Sequence, residues 1–198
     1  MPVDAPLRPV QAVCVYAASS DAIAPAYHAA ADALGTALAE AGLTLIYGGG
    51  SIGLMGAVCR AVHAGGGRMV GVIPERLRRA EICYEDADEL VVTESMGERK
   101  RIMAERADAF IAMPGGFGTL EELAEVLVLR QLHYHDKPIV LLNVNAFWTP
   151  LLELFEHFYA QRFARPENRA LYRVAETPAE ALALARDNRP SEAPEKWW

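Results

Sequence analysis

Short apolar runs, each followed by a segment of helical period, recur along almost the whole chain, and this alternation constrains the fold more than any other feature. QAVCVYAAS (11–19), LTLIYG (43–48), RMVGVI (68–73), ELVVT (89–93), ADAFIAM (107–113) and PIVLLN (138–143) read as strands, and LYRVAE supplies a last one. Helical segments separate them: Pro25 to Gly42, roughly 53–64, 96–106, Thr119 to Leu132, 147–161, and the closing TPAEALALARD. Only the stretch from Glu75 to Asp88 is polar and irregular, reading as a loop with a short helix.

Strands buried on both faces and separated by helices form parallel βαβ units. The expected fold is therefore α/β: a single-domain, doubly wound, Rossmann-like parallel sheet flanked by helices. Residues 11–188 form that domain, with flexible tails at 1–10 and 189–198. At 198 residues there is no room for separate cofactor and substrate domains, and a core can form without disulfide or metal staples. A net charge of −7, from 19 basic and 26 acidic side chains, argues against coating nucleic acid or an anionic membrane. It leaves room for one small anion held locally. No apolar run is long enough for a membrane span, and MPVDAPLRPVQ is not a secretory signal. Cys14, Cys59 and Cys83 are odd in number and lack C-x-x-C spacing, which fits reduced thiols in the cytoplasm.

Ligands of such sheets bind beyond the carboxyl ends of the strands, so the chemistry belongs to strand-to-helix turns. Two of these are rich in glycine. Gly48-x-Gly50-x-x-Gly53 matches the dinucleotide fingerprint, with Glu75 as the ribose acid, but on the second strand instead of the first. Gly49-x-Ser51-x-Gly53 also matches a nucleophile elbow, a poorer fit in so short a chain. The second turn, Met113 to Glu122, combines Gly115, Gly116 and Gly118 with a helix expected to begin at Thr119, a cradle for phosphate. Thr119-x-x-Glu122 reads equally as a capping box. Between the turns lies Ser95-Met96-Gly97-Glu98-Arg99-Lys100-Arg101, where Ser95 and Glu98 cap a helix. Three cations in its first two turns oppose the helix dipole, which implies an anion nearby; a solvated basic face is the plain alternative.

Pro114-Gly115-Gly116-x-Gly118-Thr119-x-x-Glu122, preceded by Arg99-Lys100 and by Gly48-Gly49-Gly50-x-x-Gly53-Leu54-Met55-Gly56, resembles the LONELY GUY (LOG) family over roughly residues 11–160. Its members are cytokinin riboside 5′-monophosphate phosphoribohydrolases, many once labelled lysine decarboxylases. The resemblance implies hydrolysis of the N-glycosidic bond of cytokinin nucleotides, and of AMP, to free base and ribose 5-phosphate. It implies a homodimer, a nucleoside 5′-monophosphate substrate, and no metal or organic cofactor. By position it assigns catalytic roles to Arg99 and Glu122, phosphate and ribose binding to Gly115, Gly116, Gly118 and Thr119, and nucleotide contacts to Lys100 and Glu81. Gly49, Ser51 and Glu121 complete the expected substrate-binding set. Three positions depart from the family: Gly97 where a His is frequent, Ala17-Ala18 where Cys-Gly is usual, and Val128 where plant members often carry Thr.

Breaking an N-glycosidic bond builds positive charge on the ribose, which a carboxylate near C1′ stabilises while activating water. Glu122 is the expected carboxylate, kept ionised by its place in the first helical turn, with Glu121 as the neighbour. Arg99 serves either the phosphate or the departing base. A decarboxylase needs a lysine for a Schiff base, and none of Lys100, Lys137 and Lys196 has a convincing setting. His133-x-His135 lies away from the expected active edge, and no His-Glu-x-x-His occurs. A non-catalytic nucleotide or cofactor carrier of the same fold stays open as the alternative. The apolar helix Leu120–Leu132, with Leu123, Val126, Leu127 and Leu129, carries more apolar surface than one sheet contact needs, as a dimer would.

Overall fold

The computed structural model describes residues 9–78, 84, 86–187 and 189. The strands are β1 (Ala12–Tyr16), β2 (Thr44–Tyr47), β3 (Met69–Pro74), β4 (Glu89–Thr93), β5 (Ala109–Ala112), β6 (Ile139–Leu142) and β7 (Arg173–Ala175). They pair in parallel as one seven-stranded sheet in the order β4-β3-β2-β1-β5-β6-β7. The helices are α1 (Pro25–Glu40), α2 (Gly53–Ala64), α3 (Glu75–Arg78), α4 (Met96–Arg106), α5 (Phe117–Gln131), α6 (Thr149–Ala160) and α7 (Pro178–Arg186). Two 3-10 turns, Val144–Ala146 and Pro166–Leu171, flank α6.

Alternation along each strand divides the core into two layers. Val13, Val15, Ala109, Ile111, Val140 and Leu142 face one side, where Leu34 and Leu38 of α1, Val58 and Val62 of α2 and Leu182 of α7 cover them. Cys14, Tyr16, Phe110, Ala112, Ile139 and Leu141 face the other, against Met103 of α4, Leu123 and Val126 of α5, and Trp148. The apolar runs of β1, β2, β3, β5 and β6 are therefore buried on both faces, as a doubly wound sheet requires, while the edge strand β4 leaves Val92 exposed. Both edges are modest: β7 has three residues, and β4 carries Glu89, paired with Arg106 at 2.6 Å.

Val10, at the expected boundary of the N-terminal tail, packs into the core. The rest of that tail, except Pro9, and residues 188 and 190–198 lie outside the described residues. Among the described residues no helix is long and apolar enough to cross a membrane.

The chain winds outward from β1 to β4, returns to β5 beside β1, and then winds the other way. The crevice where the winding reverses lies between the ends of β1 and β5, the position at which open α/β sheets bind ligands. A hydrogen bond from the Ala18 N–H to the Pro114 carbonyl, 3.3 Å, ties the two loops that border it. Helix α4 starts as expected: Ser95 Oγ accepts from the Glu98 N–H at 3.1 Å, and the Glu98 carboxylate accepts from the Glu94 N–H at 2.9 Å. Helix α5 does not. It begins at Phe117 with Gly116 as its cap, two residues before the expected Thr119.

Candidate active site

A cavity of about 450 Å³ opens at this crevice, within the range of about 300–1,000 Å³ common for small-molecule sites. Its walls come from the loop Ala17–Ser20 after β1, from Gly48 and Gly50 after β2, from Arg99 on α4, and from Gly116 to Thr119 with Glu121 and Glu122 on α5.

The polar floor is an ion pair. Arg99 and Glu122 are 5% and 6% exposed, and Arg99 Nη1 donates to Glu122 Oε1 at 2.6 Å. Arg99 Nε donates to the Val72 carbonyl at 3.0 Å, which fixes the plane of the guanidinium. Gly48 makes room for it: a Cβ there would lie 1.9 Å from Arg99 Nη2. A buried pair is costly to desolvate and is a weak source of stability, so its presence in a cavity wall points to chemistry. Burial pushes the Glu122 carboxyl above the usual carboxylate range, and the Arg99 charge opposes that rise. This corrects the expected cause of ionisation. With α5 beginning at Phe117, Glu122 lies beyond the first turn, and its counter-charge is a side chain instead of a helix end. The capping-box alternative fails for the same reason: Thr119 is the third helical residue, and the Glu122 carboxylate is bonded to Arg99.

The two glycine turns have different fates. The N-terminus of α2 is filled by the chain itself. Asp21 Oδ1 accepts from the Gly53 N–H at 2.9 Å, and the Ala18 carbonyl accepts from the Met55 N–H at 3.2 Å. Gly53 has φ +66°, and a Cβ there would meet the Ala18 carbonyl oxygen at 2.5 Å, so the close fit of loop on helix demands glycine. At α5 the first ladder bond runs from the Leu120 N–H to the Gly116 carbonyl, 3.0 Å. The N–H groups of Phe117, Gly118 and Thr119 precede that ladder at the positive end of the helix dipole. A Cβ at Gly116 or Gly118 would meet nothing within 4 Å, so these glycines keep the cavity wall open instead of adopting special dihedrals.

A family model described as "possible lysine decarboxylase" matches residues 55–185. The cytokinin riboside 5′-monophosphate phosphoribohydrolase LOG of Oryza sativa subsp. japonica is 46% identical over 170 residues, covering 86% of this chain and 70% of that protein. A second phosphoribohydrolase of this name, from Arabidopsis thaliana, is 43% identical over 178 residues, covering 90% and 82%. This chain belongs to the LOG family. Among solved structures, the molybdenum cofactor carrier protein of Chlamydomonas reinhardtii is similar at 25% identity and a TM-score of 0.69, covering 90% of this chain and 97% of that one.

Of the residues expected from the LOG motifs, Arg99, Glu122, Gly116, Gly118, Thr119 and Glu121 meet around the cavity. Gly49, Ser51, Gly115 and Lys100 are not among its walls. Gly115 packs against the Thr119 side chain, the Gly49 carbonyl accepts from the Tyr84 N–H at 2.9 Å, and the Ser51 carbonyl accepts from Arg60 at 3.1 Å. Glu81 lies outside the described residues. The basic run divides: Arg99 enters the cavity, Lys100 is bonded to Glu121 and Glu125, and Arg101 turns outward to Glu105 at 2.8 Å.

Sequence reasoning missed Ser19, Ser20 and an apolar rim of Ile52, Leu77, Met96 and Phe117. Phe117 is 92% exposed. The place of Ser19 and Ser20 after β1 was the available signal for them. The rim had none, because its members come from four separate segments. His135 uses both ring nitrogens within the fold, Nε2 toward the Val126 carbonyl at 3.1 Å and Nδ1 toward the Lys137 N–H at 3.2 Å. Burial pushes its pKa down to about 4. Lys137 Nζ donates to the Ala104 carbonyl at 2.7 Å. Lys196 and Cys83 lie outside the described residues, while Cys14 and Cys59 are buried free thiols.

Proposed function

We propose that this LOG-family enzyme hydrolyses the N-glycosidic bond of cytokinin riboside 5′-monophosphates, and of AMP, releasing free base and ribose 5-phosphate. The observation that carries the reading is the buried Arg99–Glu122 pair beside the open N-terminus of α5. The 5′-phosphate binds the N–H groups of Phe117, Gly118 and Thr119, with the Thr119 hydroxyl within the same turn. Glu122 then stands toward C1′. As the bond from C1′ to the base breaks, its electron pair leaves with the base, and the carboxylate stabilises the cationic ribose. Water adds to C1′ and gives its proton to Glu122, which passes it on toward the departing base. Arg99, held by the Val72 carbonyl, orients Glu122 and keeps it ionised against burial. The apolar rim of Ile52, Leu77, Met96 and Phe117 favours bases that carry an apolar substituent over plain adenine.

The named relatives at 43–46% identity are phosphoribohydrolases, whereas the carrier protein stands at 25%. The buried carboxylate–guanidinium pair in the cavity wall supports hydrolysis over carriage. The deciding assay is release of free base from AMP and isopentenyladenosine monophosphate. Wild-type protein is expected to release base, and Glu122→Gln to abolish release while AMP affinity stays within about threefold. Wild-type protein that binds AMP without releasing base is a carrier.

We also propose that the enzyme works in the cytoplasm as a homodimer. The buried free thiols Cys14 and Cys59 suit a reducing compartment. Leu123 and Val126 of α5 are consumed by the core, but Leu127 and Val128 line a groove of about 240 Å³ with Phe155 and Phe158 of α6. Phe163, 87% exposed, follows α6. A second copy is the occupant proposed for this face.

A further inference from the structure

The segment from Ala112 to Gly116 sets where the N–H groups at the head of α5 point, and it is held from two flanks. The loop after β1 supplies one hold. The Met113 N–H donates to the Tyr16 carbonyl at 2.8 Å, and the Ala18 N–H donates to the Pro114 carbonyl at 3.3 Å. The turn after β6, on the other flank of β5, supplies the second through a side chain. Trp148, 4% exposed, donates its indole N–H to the Ala112 carbonyl at 3.2 Å. A buried indole N–H needs an acceptor, and here it takes the last carbonyl of β5.

The approach of Trp148 strains the backbone. Asn145 and Ala146, just before it, hold φ +51° and +57°, two consecutive residues in the left-handed region that disfavours alanine. Strain of this kind persists where surrounding contacts over-determine it. Those contacts are present. Buried Asn143 accepts the Trp148 N–H through Oδ1 at 2.7 Å, and its own N–H donates to the Ala175 carbonyl at 2.7 Å. The Phe147 ring meets the indole edge-on at 4.9 Å. Trp148 does not line the cavity, yet it grips the strand that leads into the cavity wall.

We propose that Trp148 is a positioning residue for the phosphate of the nucleotide. Its indole N–H fixes the end of β5, and with it the segment that aims the N–H groups of Phe117, Gly118 and Thr119. It serves the phosphate half of the ligand and not the base. The inference rests on the placement of the phosphate at α5.

The test is binding read by calorimetry, with AMP, ribose 5-phosphate and adenosine as probes. Trp148→benzothienylalanine puts sulfur in place of the indole N–H, so it removes the donor and keeps the shape. It is expected to weaken AMP and ribose 5-phosphate roughly fivefold each, the effect of one lost hydrogen bond. Adenosine, which lacks the phosphate, should change by less than about twofold. Trp148→Phe, which removes the donor and part of the ring, should weaken the same two ligands at least as much. In base release from AMP, KM should rise while kcat stays within about twofold. Thermal unfolding separates lost binding from lost folding, and the benzothienylalanine variant carries the test if Trp148→Phe does not fold. Wild-type affinity for AMP in that variant, or equal weakening of adenosine, overturns the proposal and leaves Trp148 a packing residue. A wild-type protein that binds AMP no better than adenosine overturns the phosphate placement itself. Whether base is released at all reports on hydrolysis independently of the binding results.

Discussion

At the scale of single residues, the site depends on a guanidinium, a carboxylate and an absent side chain. Arg99 and Glu122 stand 23 positions apart in sequence and 2.6 Å apart in space. Burial raises the Glu122 pKa above its ordinary 4.5, while the base role proposed for it requires the ionised form. On acidification the proton therefore returns earlier than to an exposed glutamate. The acid limb of kcat/KM for base release is expected above the ordinary carboxylate range, falling about tenfold per pH unit below its midpoint. A pH–rate profile with its acid limb at or below 4.5 would contradict this. Gly48→Ala places a methyl group where Arg99 Nη2 now lies. The displaced guanidinium should lower kcat roughly a hundredfold, with a smaller change in AMP affinity. Single-turnover base release beside equilibrium binding measures both. Arg99 and Glu122 were legible as members of a motif. The reason for Gly48 was not, because nothing local shows that the turn after β2 meets a side chain from α4.

At the scale of elements, the two glycine turns look alike as strings and differ in what satisfies their helix ends. Distinguishing them needed the position of Asp21, which lies 32 residues before Gly53 and reaches it only through the fold. Asp21→Ala should cost about 1 kcal/mol of stability, as loss of a side-chain cap does, and Asp21→Asn should retain most of it. Denaturant unfolding of the two variants checks this. An equal loss in both would mean that charge, and not an acceptor oxygen, is what the Gly53 N–H requires. The start of α5 was misread by two residues because Thr-x-x-Glu mimics a cap. The β5 turn instead ends at Gly116, and Glu122 is drawn to Arg99. The start of α4 was legible, since Ser95 and Glu98 act within their own segment.

For the whole molecule, the winding of the sheet was readable because the apolar runs of β1, β2, β3, β5 and β6 have both faces covered, as helices packed on each side of a parallel sheet provide. The reversal between β1 and β5 then concentrates the loops that matter at one end. The groove beside α5 was only partly readable. The sequence showed surplus apolar residues on that helix, but not that α6 and the turn Pro166–Leu171 would frame them. Phe158→Glu, on that face and away from the cavity, is expected to convert a dimeric solution mass to a monomeric one. A wild-type mass that is already monomeric would remove the second copy from the account. Light scattering settles both.

The modest borders of the sheet carry a further consequence. A row of free strand groups invites another chain to add itself as the next strand, and growth of that kind has no natural stop. Here one border is three residues long, and the other carries Glu89 flanked by Arg68 and Arg106. Extension of the sheet from copy to copy is thereby discouraged at both ends. The pairing proposed at the helical flank has no such repeat, because a face that meets its own copy is used up after two.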